Sequence, residues 1–71
     1  MVTQRFHVPE IACEHCVNAV SRGVSSVAGV ERVNVVLDSK TVTVEHAPNV
    51  TTDAIIAAIN DAGYDEVTRL D

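Results

Sequence analysis

The chain has no tryptophan, one tyrosine and one phenylalanine, so aromatic residues make up only 3% of its 71 positions. Its core must therefore be aliphatic, built mainly from Val, Ile and Ala. Aromatic platforms for stacking the bases of a single strand are missing. Basic residues are also scarce, with five Lys and Arg against ten Asp and Glu and a net charge of −5. No basic run exists, which argues against a nucleic-acid partner. The longest apolar run is Ala54–Ile59, six residues, where a membrane span needs about 20. Direct membrane insertion is not expected. The stretch from Met1 to Val8 has no apolar segment of secretory-signal length, so the expected location is cytoplasmic. Cysteine is limited to Cys13 and Cys16. In a reducing compartment such a pair points to metal or redox chemistry rather than to a structural disulfide.

Length sets a further bound. A chain of this size buries roughly 60% of its unfolded surface, and residues 1–71 read as one domain. There is no room for an enzyme with a deep catalytic cleft and a separate cofactor domain. A solenoid would need at least three units of about 20–45 residues. Hydrophobic residues at 46% and charged residues at 21% describe a globular chain, not a disordered one.

The periodicity lays out six elements. Val2, Gln4, Phe6 and Val8 alternate with Thr3, Arg5 and His7 as a strand that ends at Pro9. Val17, Val20, Val24 and Val27 have helical spacing, and Gly29 is the expected stop. Gly23 inside this helix costs about 1 kcal/mol relative to Ala and predicts a close backbone approach. Val33, Val35 and Leu37 alternate as a second strand, Asp38-Ser39-Lys40 makes a turn, and Val42 and Val44 form a third strand stopped by Pro48. Thr51 or Thr52 caps a second helix whose apolar face is Ile55, Ile56, Ile59 and Ala62, with Gly63 at its C-terminal end. Residues 66–70 form a last strand. The order βαββαβ predicts an α+β, ferredoxin-like open-faced sandwich with a four-stranded antiparallel sheet and two helices on one face. A faint echo, Ala28-Gly29-Val30-Glu31-Arg32-Val33 against Ala62-Gly63-Tyr64-Asp65-Glu66-Val67, supports two related halves.

The halves differ where their helices begin. Helix 2 has a Thr-Thr-Asp cap, whereas Ala12-Cys13-Glu14-His15-Cys16 offers no Ser, Thr, Asp or Asn to the first free N–H groups. Sulfur is the available acceptor. A thiolate at a helix N-terminus is stabilised, which predicts a thiol pKa below the free value of about 8.5. Glu10 and Glu14 oppose that shift. The three-residue spacing lets both sulfurs converge on one ion. A zinc site wants two further Cys or His at matching spacing, which His7, His15 and His46 do not supply. A thioredoxin-like redox site shares the Cys-x-x-Cys but needs a longer chain. The βαββαβ topology also brings the loop after helix 2 to the end of strand 1, placing Tyr64 near the cysteines. His15 is expected to face solvent, with a ligand role only if two molecules share a metal. His46, a strand length away, is rejected as a ligand. Asp53, Asp61, Asp65, Glu66 and Asp71 read as a solvated acidic face able to steer a basic partner.

These residues resemble a heavy-metal-associated domain of the bacterial copper-chaperone type. The family motif is Gly-Met-x-Cys-x-x-Cys, matched here by Glu10-Ile11-Ala12-Cys13-Glu14-His15-Cys16. Val17-Asn18-Ala19-Val20, Gly29-Val30-x-x-Val33-x-Val35 and Ala62-Gly63-Tyr64-Asp65 are also typical. Glu10 and Ile11 depart from the usual Gly-Met; Ile11 takes the place of the Met that anchors the loop from below, with a stiffer β-branch. The resemblance implies Cu(I) held by Cys13 and Cys16 and shielded by Tyr64. It also implies delivery to the soluble metal-binding domain of a copper-transporting P-type ATPase, with a metal-bridged homodimer as a further form. Soft thiolates select Cu(I) over hard cations. Zinc, cadmium or mercury as cargo, a regulatory domain of an ATPase, and thiol–disulfide exchange remain the alternatives.

Overall fold

Alternation places Gln4, Phe6 and Val8 on the inward face of β1 (Val2–His7) and its exit, and Val42, Val44 and His46 on the inward face of β3 (Thr41–His46). The computed structural model describes residues 2–70. β1 and β3 lie at the centre of a sheet of order β2-β3-β1-β4, with every pairing antiparallel. β2 (Val30–Val36) and β4 (Thr68–Arg69) are the edges. Helices α1 (Glu14–Ser25) and α2 (Thr52–Asp61) cover one face. They contribute Val20, Val24, Ile55 and Ile59 to a core that also holds Phe6, Val8, Ile11, Val42 and Val44, all fully buried. The ferredoxin-like βαββαβ expectation holds. Asp71 lies outside the described residues, while Asp53, Asp61, Asp65 and Glu66 are exposed.

Leu37, expected in the second strand, falls in the turn just past β2, and two boundaries differ more widely from the periodicity. α1 ends at Ser25, four residues before Gly29. The Ser26 hydroxyl donates to the Gly23 carbonyl at 2.7 Å, and its N–H bonds the Arg22 carbonyl. Serine competes with the helix ladder in this way. Val27 still packs against the core, but from the turn that follows. Gly29 has φ +94 and a Cβ there would meet Val50 Cγ2 at 2.5 Å, so it serves the turn into β2, not the helix end. Gly63, its counterpart in the echo, also has positive φ (+106). The expected approach at Gly23 is present: a Cβ would come within 3.3 Å of the Ala58 carbonyl on α2.

The last strand is shorter than expected, two residues instead of five. Its register pairs Arg69 with Phe6 and Thr68 with His7. Extending it would set Glu66 against Pro9, which has no N–H to give. The amides of Asp65 and Glu66 instead turn to the Glu10 carboxylate.

One inward polar pair escaped the periodicity argument. His46 is 2% exposed, with Nδ1 at 2.8 Å from the Ala47 carbonyl and Nε2 at 2.9 Å from the Gln4 amide oxygen. Gln4 in turn donates to the Thr52 hydroxyl at 2.8 Å. Thr51 is thus the residue left to cap α2, accepting from the Ala54 N–H at 3.1 Å. Gln4 and His46 share the parity of the core valines, and that parity was the available signal. His46 pairs with Val2, the first residue of β1, and so sits at the opposite end of the sheet from the loop carrying the cysteines.

Candidate metal centre

β1 delivers the chain to a short loop, residues 8–13, that turns into α1. Val8 and Ile11 anchor it: both are fully buried, and the Ile11 N–H bonds the Val8 carbonyl at 3.1 Å. Ile11 thus fills the apolar space under the loop. Its carbonyl accepts from the Lys40 ammonium at 2.6 Å. Lys40 is placed for this by the β2–β3 turn, where it takes a positive φ of 56, and its own carbonyl accepts from the Val8 N–H at 2.9 Å.

The buried anchor pushes the next residues outward. Cys13 is exposed and Cys16 is half-buried. Their sulfurs lie 3.5 Å apart, beyond the roughly 2.05 Å of a disulfide, so the pair is a dithiol. Cys13 is the N-cap residue of α1, in extended conformation, yet its side chain makes no capping bond. The expectation that sulfur caps the helix is therefore corrected: the two thiols face each other instead.

Cys16 is still the activated thiol. Its pKa is lowered to about 7, first by a hydrogen bond from the Tyr64 hydroxyl, then by the Ala12 backbone amide, then by Cys13. The cause is thus a phenol and the loop's own amides more than the helix end. The same bond, with desolvation and the neighbouring negative charges behind it, pushes Tyr64 up to about 12. Tyr64 stays a neutral donor at physiological pH. The structure places it beside Cys16 and packs it against the core. His15 is exposed. Among the described residues, no three His, Cys, Asp or Glu side chains converge as a metal site. Among the described residues the site offers two sulfurs and no third His, Cys, Asp or Glu beside them, a donor set that suits a soft ion of low coordination number and leaves it open to an incoming ligand.

A direct check follows. The rate of Cys16 alkylation against pH should have its midpoint near 7, and Tyr64→Phe should move it up towards the free value of about 8.5. A midpoint that stays near 7 without the hydroxyl would remove Tyr64 as the cause.

Two features of the site were not legible as such in the sequence. Glu10 was expected only to add charge, but it accepts two backbone hydrogen bonds from across the molecule. Lys40 was assigned only to a turn, but its ammonium holds the Ile11 carbonyl.

A dithiol where the first strand-to-helix loop enters α1 of a ferredoxin-like sandwich, one thiol exposed and the other half-buried, defines a small thiol-bearing binding domain. Residues 5–65 match the heavy-metal-associated domain family, and the chain belongs to it. It is 39% identical over 62 residues to the COP-associated protein of Helicobacter pylori, covering 87% of this chain and 94% of that one. It is 38% identical over 66 residues to the copper chaperone CopZ of Bacillus subtilis, covering 92% and 96%. Among solved structures, the copper binding domain from HMA7, a P-type ATPase, superposes with a TM-score of 0.94 at 30% identity, covering 100% of this chain and 96% of that one. Among the described residues no helix is long and apolar enough to cross a membrane.

Proposed function

We propose that this protein is a cytoplasmic carrier of Cu(I), held by Cys13 and Cys16 and passed by thiolate exchange to the soluble metal-binding domain of a copper-transporting P-type ATPase. The observation that carries this reading is the exposed dithiol, with sulfurs 3.5 Å apart and no third metal-ligating side chain beside them among the described residues. Zinc prefers four ligands in a tetrahedron, and two soft sulfurs favour Cu(I). The similarity to a copper chaperone and to the copper binding domain of a P-type ATPase supports both the cargo and the kind of partner.

The chemistry of delivery follows from the donors. Two thiolates around one monovalent ion leave a net negative charge. The Tyr64 hydroxyl and the Ala12 amide are neutral donors that stabilise it without repelling the cation. A thiolate of the partner can join as a third ligand before Cys13 or Cys16 lets go, so the ion moves without being released to water. Loading at neutral pH displaces fewer protons from Cys16 than from an ordinary thiol, because a pKa of about 7 leaves roughly half of it already ionised. The protein acts as a carrier, not a catalyst.

An anaerobic titration tests this. Apo protein offered equal Cu(I) and Zn(II) should appear by native mass spectrometry with one copper per chain, or as a copper-bridged dimer, and without zinc. Mixed with the metal-binding domain of a copper ATPase, it should share its copper within the mixing time. Retention of zinc against Cu(I) would overturn the cargo. Copper that stays put would overturn the partner.

A further inference from the structure

Glu10 stands where the family motif has glycine, on an exposed loop, and its carboxylate has a defined use. One oxygen accepts the N–H of Asp65 at 2.8 Å and the N–H of Glu66 at 3.0 Å. Those amides follow directly on Tyr64, whose hydroxyl bonds Cys16. The Tyr64 segment is held on its other side by α2, where the Asn60 amide donates to the Tyr64 carbonyl at 2.7 Å and the Tyr64 N–H bonds the Ile59 carbonyl at 3.3 Å. The contacts close a ring. From Glu10 the chain runs through Ile11 and Cys13 to Cys16, across to the Tyr64 hydroxyl, along the backbone to Asp65, and back to Glu10.

We propose that Glu10 is a positioning residue: its carboxylate clips the Tyr64 loop to the cysteine loop, keeps the Tyr64 hydroxyl on the Cys16 sulfur, and so slows loss of the bound metal. A glycine at this position has no side chain to make the clip, so the two loops would be joined only through Tyr64 itself. An ionised carboxylate receiving two amide N–H groups makes charge-assisted bonds, the stronger class. It does so by bridging residues 55 and 56 positions apart in sequence, a connection that the short β4 does not supply. Glu10 touches neither thiol through these bonds; it acts through Tyr64.

The inference rests on the carrier reading for its effect on metal, but the clip itself can be read in the apo protein. In Glu10→Ala the Asp65 and Glu66 amides should exchange with solvent about tenfold faster. The near-ultraviolet signal of Tyr64, the sole tyrosine in a chain without tryptophan, should also change. Glu10→Gln keeps an acceptor oxygen and should restore most of the protection. In the loaded protein, Glu10→Ala should speed Cu(I) loss to a chelator by about tenfold, the lower end for a group that supports a ligand from outside. In a Tyr64→Ala background the same change should add nothing, because the two act as one unit. Unchanged exchange at Asp65 and Glu66 would overturn the clip. Equal acceleration with and without Tyr64 would show that Glu10 acts by charge alone. A protein that keeps the amide effect but binds no Cu(I) would leave the clip standing and defeat the carrier reading.

Discussion

Cys13→Ser and Cys16→Ser are each expected to abolish tight Cu(I) binding while leaving the sheet and both helices in place. The loss should exceed the roughly 10–100-fold cost of removing a group that merely supports a metal ligand, since each change removes one of the two thiols. A serine hydroxyl is a hard, neutral oxygen that stays protonated at neutral pH. The fold should survive because Cys13 is exposed and Cys16 only half-buried. Neither belongs to the fully buried set of Phe6, Val8, Ile11, Val20, Val24, Val42, Val44, Ile55 and Ile59. Circular dichroism and a chelator competition on the same samples give both answers. A single variant that holds copper as tightly as the native chain would move the site elsewhere. An unfolded apo variant would make the cysteines part of the core.

Ile11→Ala should produce the largest loss of stability of any change near the site. The side chain is fully buried beneath a loop whose other ties are hydrogen bonds: the Ile11 N–H to Val8, the Ile11 carbonyl to Lys40, and the Glu10 carboxylate to the Asp65 and Glu66 amides. Removing its outer carbons costs about 2–5 kcal/mol, through lost burial and the cavity left behind. Total stability for a chain of this length is about 4–10 kcal/mol, so the variant should melt well over 10 °C lower. Ile11→Met, close in volume and less stiff, should cost less than about 1.5 kcal/mol. Urea denaturation of the three proteins decides it. A loss under 1 kcal/mol for Ile11→Ala would mean that the loop is not anchored through this residue.

The fold was readable in the sequence because its signals are local. Alternation at Gln4, Phe6 and Val8, helical spacing at Val20 and Val24, and the Thr51 cap each report their own few residues. Six such reports in βαββαβ order admit few topologies. The meeting of Cys13 and Cys16 was equally readable, since three residues of spacing are enough to bring the two sulfurs within 3.5 Å of each other. Boundaries were less so. α1 stops where Ser26 turns its hydroxyl and N–H back on the helix, which hydrophobic spacing does not record. β4 is cut short by Pro9 and by the demand of Glu10 for two amides, a competition between segments far apart in the chain.

What the sequence by itself determined was therefore the order of elements, the aliphatic core and the identity of the two thiols. Topology also sufficed to bring Tyr64 to the right end of the sheet. Only the tertiary structure decided how these residues engage. It decided that Cys13 does not cap α1, that the Tyr64 hydroxyl is the leading cause of the lowered Cys16 pKa, and that Glu10 spends its carboxylate on the Tyr64 loop. It also decided that Lys40 grips the Ile11 carbonyl and that His46 is buried against Gln4. Periodicity records which way a side chain faces along its own element. A hydrogen bond between two loops depends on where packing sets both ends, to within a few tenths of an ångström, and that distance exists only once the core has closed.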